Sequence, residues 1–271
     1  MSYKAPIAAA VLLLPLTPAQ GGEEPPDTNF LGLPADPIDE PMETDRPDFT
    51  EGTQTVPRGR FQLEFGYTYT YNDDDGVETR TQTVPEALLR VGIVPDFELR
   101  LAWTGYEHVS MDPGGDTDGL TDMAVGFKWR LLDQDGAVPN FAILGELSIP
   151  TGSEDLTSDG VDPAVIFAWA YDLNERFSVA GNVGAAALTG PGETDFEASV
   201  SLAGGVSITD QLGAYIEYYG IFPDGGGDTH YADGGLTYQF TPNFQIDGRV
   251  GVGLNDEADD MFGGVGAAIR W

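Results

Sequence analysis

The stretch that decides the fold is Phe61-Gln62-Leu63-Glu64-Phe65-Gly66-Tyr67-Thr68-Tyr69-Thr70-Tyr71. Phe61, Leu63, Phe65, Tyr67, Tyr69 and Tyr71 share one parity, and Gln62, Glu64, Gly66, Thr68 and Thr70 share the other. A period of two places these sets on opposite faces of a β-strand, whereas a helix would scatter them around its circumference. The same alternation returns in Phe97-Glu98-Leu99-Arg100-Leu101-Ala102-Trp103 and in Met123-Ala124-Val125-Gly126-Phe127-Lys128-Trp129-Arg130-Leu131. It returns again from Phe244 through Ile246, Gly248, Val250 and Val252 to Leu254.

Working outward, twelve such segments are expected, over 60–71, 80–94, 97–107, 120–132, 140–150, 162–172, 176–189, 196–208, 211–222, 231–240, 244–255 and 262–271. Their lengths suit tilted strands that cross a bilayer, which takes about 9–11 residues. Short connections (Pro95-Asp96, 173–175, Thr209-Asp210, 241–243, with 133–139 somewhat longer) alternate with acidic connections that are usually longer, over 72–78, 108–119, 150–162, 190–195, 223–230 and 255–261. The latter six contain 19 Asp or Glu and no Lys or Arg. Short turns at one end and longer loops at the other are the asymmetry of an outer-membrane barrel. A soluble sandwich or lipocalin-like barrel also alternates, but the even count and the many aromatic strands favour an apolar face turned to lipid. The terminal aromatic Trp271, on one parity with Val265, Ala267 and Ile269, resembles the signal read by the barrel insertion machinery. The fold expected is therefore all-β: a transmembrane antiparallel up-and-down β-barrel over residues 60–271, embedded in outer-membrane lipid.

Composition narrows the function. The chain has 271 residues with 12 Lys or Arg against 45 Asp or Glu, a formal charge of −33. That balance excludes a nucleic-acid partner gripped through basic patches. The absence of Cys excludes disulfides, thiolate metal sites and thiol nucleophiles, and two His leave no His-rich metal site. No cofactor is expected. Residues 1–20 read as a cleaved signal peptide: Lys4, the short apolar run 7–16, then Ala19-Gln20-Gly21. That run is too short for a membrane-spanning helix, which takes about 20 residues. Residues 21–59 form a Pro-rich acidic segment with seven prolines and ten acids against Arg46 and Arg58. Such a stretch makes neither a packed helix nor a central strand. Over 21–42 it reads as a solvated tail.

If the aromatic parity faces lipid, the other parity lines the lumen. That set holds the acids Glu64, Glu86, Glu98, Glu146, Glu197, Glu217 and Asp247 and the bases Arg90, Arg100, Lys128, Arg130, Arg249 and Arg270. Charges beside low-dielectric walls need partners, so these residues form salt-bridge ladders, a selectivity lining for small solutes, or both. Other chemistry is thin. His108, Ser110, Asp228 and His230 sit at expected loop rims without a nucleophile-elbow pattern, so no enzyme is expected. Asp73-Asp74-Asp75-Gly76, Asp116-Thr117-Asp118-Gly119 and 256–260 are oxygen-rich but complete no EF-hand. They read as solvated loops, with loose Ca²⁺ or Mg²⁺ binding as the alternative.

The stretch from Glu43-Thr44-Asp45-Arg46-Pro47-Asp48-Phe49 to Val56-Pro57-Arg58-Gly59, running into Gln62-Leu63-Glu64, resembles the start of a bacterial family of outer-membrane transporters labelled for the MetA-pathway of phenol degradation. Gly126-Phe127-Lys128-Trp129-Arg130, the segment 148–153, Glu217-Tyr218, Asp233-Gly234-Gly235 with Tyr238, and Gln245-Ile246-Asp247 also match. The resemblance spans about residues 43–271. It implies an outer-membrane barrel that passes small, aromatic or otherwise hydrophobic compounds, and it brings no catalytic residues. From the charge pair, the fixed proline and the adjacent Phe49, the motif Thr44-Asp45-Arg46-Pro47 is expected to fold against the mouth or into the lumen, with Arg46 paired to an inward acid. A structural or adhesive barrel with acidic loops is the alternative function, and a barrel-borne lipid hydrolase or acyltransferase using the rim histidines is the lesser one.

Overall fold

A computed structural model describes residues 28–38, 40–190 and 193–271; the expected signal peptide lies outside these residues. Fourteen strands form one antiparallel sheet: β1 (Phe61–Asp74), β2 (Val77–Val94), β3 (Phe97–Trp103), β4 (Tyr106–Asp112), β5 (Asp116–Leu120), β6 (Met123–Leu132), β7 (Asn140–Ile149), β8 (Asp162–Asp172), β9 (Phe177–Gly190), β10 (Glu193–Ser207), β11 (Leu212–Pro223), β12 (Thr229–Thr241), β13 (Phe244–Gly253) and β14 (Met261–Arg270).

These make twelve staves. β3 and β4 both pair with β2, and β6 and β5 pair with them in turn, so each of these two staves is a single strand interrupted once. The two breaks, Thr104-Gly105 and Thr121-Asp122, face each other: the Thr121 amide (2.9 Å) and hydroxyl (3.0 Å) both donate to the Gly105 carbonyl. The wall therefore keeps its polar groups paired where it bends, which a lipid-facing wall requires. β1 pairs with β14 from Gln62↔Arg270 to Tyr71↔Met261 and closes the barrel. Phe61 and Trp271 exchange backbone hydrogen bonds of 3.0 and 2.9 Å at the seam.

Three connections differ from the expectation. In one, 190–195, Gly190 ends β9 and positions 193–195 already belong to β10. Residues 72–78 and 108–119 are not loops. β1 and β2 continue to a two-residue turn at Asp75-Gly76, both with positive φ (51° and 83°), and β4 and β5 continue to Asp112 and from Asp116. Asp-Gly suits this turn because its twist matches that of the flanking strands. Beyond the bilayer both faces of a hairpin meet water, so alternation of polarity fades although the strand continues.

Exposure is inverted relative to a soluble domain. Glu64, Glu98 and Lys128 are 0% exposed, whereas Ile216 and Val250 are 75% and 71% exposed. Leu99, Trp129, Phe167, Phe177, Leu202 and Val265 are exposed with them. An apolar outer wall around a polar interior is the arrangement of a barrel whose outer solvent is lipid.

Candidate functional site in the barrel lumen

Seen from the wall, three buried cations come from neighbouring staves: Arg90 on β2, Arg100 on β3 and Lys128 on β6. The wall opposes them with Glu64 and Glu98. Arg90 lies 3.0 Å from Glu64 and 2.8 Å from Glu98, and Arg100 lies 3.3 Å from Glu98. Three cations against two carboxylates leave a positive excess in a buried place, where an unpaired charge is costly.

The missing charge comes from residues 43–56, which thread the lumen. Asp45 is the hub. Its Oδ1 is 2.6 Å from Lys128 Nζ, and its Oδ2 is 2.6 Å from Arg100 and 3.1 Å from Arg90. Burial alone would raise the Asp45 carboxyl, but Arg90, Lys128 and Arg100 together hold it well below the usual carboxylate range. Glu51 pairs with Arg100 at 3.0 Å. Burial dominates there and pushes Glu51 up to about 7 against the pull of Arg100.

The backbone of the segment is held as closely as its side chains. Glu64 accepts from the amides of Asp45 (3.0 Å) and Arg46 (3.1 Å). Glu217 accepts from Phe49 (2.7 Å) and Thr50 (2.8 Å), and Glu98 accepts from Val56 (2.7 Å). Asn182 on β9 makes a paired contact with Glu51, accepting from its amide at 2.7 Å and donating to its carbonyl at 3.1 Å. Arg249 donates to the Pro47 carbonyl at 2.8 Å. Lumen carboxylates on β1, β3 and β11 thus serve as acceptors for a loop that forms no secondary structure of its own, satisfying its buried amides.

Arg46 turns the other way along the wall and bridges β2 to β13, 2.9 Å from Glu86 and 3.4 Å from Asp247. It passes over Gly66 on β1 and Gly266 on β14, where a built β-carbon would fall inside its guanidinium. Two inward glycines on paired strands make its channel. Beside it, Phe49 stacks on Tyr219 with ring centroids 4.3 Å apart, and Tyr219 stacks on Tyr231 at 4.8 Å. Phe262 completes this group, with Arg249 over its ring at 5.3 Å.

Of the residues selected from sequence, Glu64, Glu86, Arg90, Glu98, Arg100, Lys128, Glu217, Asp247 and Arg249 thus meet at the loop, together with Thr44, Asp45, Arg46 and Pro47. Most of the bridging runs through the loop rather than directly from wall to wall. Arg130 and Arg270 lie at the turn-side mouth, where Arg130 still reaches the loop and donates to the Gln54 side-chain carbonyl at 2.7 Å. Arg130 pairs with Asp96 and Asp133, and Arg270 donates to Asn243 at 2.9 Å and to the Glu40 carbonyl at 2.5 Å. Both line a cavity of about 440 Å³ there with Pro37, Pro41 and Gln54. Glu146 and Glu197 form no ion pair among the described residues; Glu146 borders a cavity of about 90 Å³ with Glu51 and Arg100. Trp271 stacks on Phe61 at 6.1 Å.

Sequence reasoning passed over Thr50, Glu51, Asn182 and the aromatic group around Tyr219. The available signal was the inward parity of Asn182, Tyr219, Tyr231 and Phe262, positions where a lumen facing open water has no use for large rings. His230 bonds to the Tyr218 hydroxyl at 2.8 Å on the outer face, and Ser110 bonds to Asp116. The acidic motifs build hairpins, and no group of three or more His, Cys, Asp or Glu among the described residues could hold a metal ion.

The barrel is similar to solved outer-membrane proteins. Against the COG4313 outer membrane channel from Pseudomonas putida F1 the TM-score is 0.65 at 15% identity, covering 81% of this chain and 98% of that one. The translocator domain of the autotransporter NalP from Neisseria meningitidis gives 0.52 at 11% identity, covering 78% and 88%. The β-domain of the Bordetella autotransporter BrkA gives 0.52 at 10% identity, covering 78% and 99%. These likenesses show the fold, a closed outer-membrane β-barrel. No curated protein matches the sequence. The family described as "Putative MetA-pathway of phenol degradation" matches residues 44–271. That match begins at Thr44 in the lumen loop and takes in every stave of the barrel, and the chain belongs to this family.

Proposed function

We propose that the protein is an outer-membrane channel for small solutes whose lumen loop, residues 43–56, is its gate. One observation carries the reading: the positive excess left by Arg90, Arg100 and Lys128 against Glu64 and Glu98 is neutralised by Asp45, a residue of a segment that is not part of the wall. A twelve-stave barrel lies between eight-strand barrels filled by side chains and 16–18-strand porins with aqueous channels. Its interior is wide enough to need filling, and a removable loop fills it. The description of the Pseudomonas putida relative as a channel supports the same reading.

The solutes are small and neutral, aromatic compounds among them. On the wall, Tyr219, Tyr231 and Phe262 offer a flat apolar surface that Phe49 of the loop covers in the seated state, and offset or edge-on ring contacts suit aromatic guests once it is uncovered. Family membership points the same way. The test is single-channel conductance in planar bilayers, with wild type set beside a variant lacking residues 21–52, followed by liposome swelling with neutral sugars and aromatic alcohols. A large conductance gain on deletion, with aromatic alcohols admitted, is expected. Equal, negligible conductance in both proteins would leave a structural or adhesive barrel.

A further inference from the structure

Residues 28–38 and 40–42 are not the solvated tail expected from composition, because Asn29, Ala35 and Met42 are buried against the barrel. Before it enters the lumen, the segment makes a compact turn on the outside of the barrel seam. Asn29 organises it: its Oδ1 accepts from the amides of Leu31 (2.9 Å) and Leu33 (3.1 Å), and its Nδ2 donates to the Gly59 carbonyl at 2.8 Å. The Asn29 amide also donates to the Leu33 carbonyl at 2.7 Å. Asn29 and Ala35 are buried in this turn, yet Phe30, Leu31 and Leu33 are 65%, 58% and 54% exposed. A turn with so many internal bonds that points three large apolar side chains outward is built to present them.

Their position identifies what they meet. Phe30 packs edge-on against Phe61 (5.3 Å) and lies 6.4 Å from Trp271. Phe61 and Trp271 stack on the outer face at the turn-side rim, on the parity that includes Leu63, Phe65 and Ile269. The turn therefore extends the barrel's own aromatic girdle, at the level where such rings sit between headgroups and acyl chains.

We infer that Phe30, Leu31 and Leu33 insert into the phospholipid leaflet on the periplasmic side, making residues 28–34 a membrane anchor for the root of the lumen loop. Both limbs of that loop leave from this point. Asp36 donates its amide to the Arg58 carbonyl at 2.8 Å, and the Asp36 carboxylate pairs with Arg58 at 2.6 Å. One limb then crosses the mouth, where the Met42 amide donates to the Pro242 carbonyl at 2.8 Å, and enters the barrel. The other runs directly into β1. The loop is a closed excursion whose two ends are pinned at one place on the rim, and the anchor fixes that place to the bilayer. This holds whatever the barrel conducts.

The absence of Cys makes the test direct. Leu31→Cys and Leu33→Cys in the full chain are labelled with an environment-sensitive nitrobenzoxadiazole probe and reconstituted into phosphatidylethanolamine–phosphatidylglycerol vesicles containing doxyl-labelled lipid. Phe177→Cys, on the lipid-facing rim, is the membrane reference, and Asp133→Cys, 73% exposed in a turn, is the water reference. Folded barrels are selected by heat-modifiable gel mobility. Blue-shifted emission with doxyl quenching close to that of Phe177→Cys is expected at both positions. Emission and quenching like those of Asp133→Cys at both positions would overturn the inference. So would a blue shift without lipid quenching, which would show burial against protein instead.

Discussion

Asp45 Oδ1 lies 2.6 Å from Lys128 Nζ, joining a residue of the N-terminal segment to the fully buried ammonium of β6. The other oxygen of the same carboxylate serves Arg90 and Arg100. One side chain of the loop thus settles the charge of three staves.

Removing that charge should release the loop rather than unfold the wall. In Asp45→Asn, Lys128 loses its 2.6 Å partner and Arg90 and Arg100 each lose one carboxylate contact, and breaking a buried pair on one side costs about 3–5 kcal/mol. The staves keep their ladders, so heat-modifiable mobility should persist. Conductance should rise toward that of the loop deletion, and protease should cut within residues 43–56 in folded barrels. Retention of the closed state would show that the backbone bonds to Glu64 and Glu217 suffice.

Arg46 gives a second handle on the loop. Gly66→Ala and Gly266→Ala place a β-carbon where its guanidinium runs, so the ion pairs with Glu86 and Asp247 should be lost. Each should reproduce the conductance of Arg46→Ala. Combining either with Arg46→Ala should add little, because interacting sites are non-additive. Additive effects would mean that the glycines serve the wall instead.

The two faces of β1 should respond differently. Phe65→Arg puts a charge on an exposed outer position and should destabilise the inserted barrel by roughly 2–4 kcal/mol near the midplane, measured by urea unfolding in vesicles. Glu64→Gln should leave insertion intact and weaken the hold on the Asp45 and Arg46 amides, seen as more frequent openings. Equal insertion defects in both would contradict the assigned faces.

Seating of the loop should depend on pH through Glu51. Its carboxyl, pushed up to about 7 in place, holds a proton more tightly seated than released. Seating is therefore favoured at low pH and weakens as pH rises from the ordinary carboxylate range through about 7. Asp45, held well below that range, stays ionised throughout and adds no slope. Open probability should be several-fold higher at pH 8 than at pH 5, and Glu51→Gln should reduce the difference, leaving the part carried by Asp48 and Glu43, whose carboxyls burial also pushes up in the seated loop. A rise in opening toward pH 5 would reverse the assignment.

The six connections at the loop end of the barrel contain 19 acidic residues and no Lys or Arg. Their negative field should concentrate cations at that mouth. Reversal potentials in a KCl gradient should show weak cation selectivity at low salt that fades as ionic strength rises, since screening shortens to about 10 Å at 0.1 M. Anion selectivity at low salt would contradict this.

The sequence by itself determined the barrel. Residues 61–71 alternate strictly because one face of that strand meets lipid and the other does not, and the constraint repeats along the staves. It also marked the inward charges, since parity alone puts Glu64, Arg90, Glu98, Arg100 and Lys128 on the polar face. Parity says nothing about which inward residues lie at the same depth, because that depends on register and tilt accumulated around the barrel. Nor does it say what fills the space between them. Only the tertiary structure decided that Asp45 stands among three cations contributed by positions 90, 100 and 128. Only it decided that Gly66 and Gly266, far apart in the chain, make room for one guanidinium. The lumen loop has no periodicity to read because it makes no ladder of its own. Its conformation is dictated by acceptors and cations fixed on the wall, and those meet only once the barrel has closed.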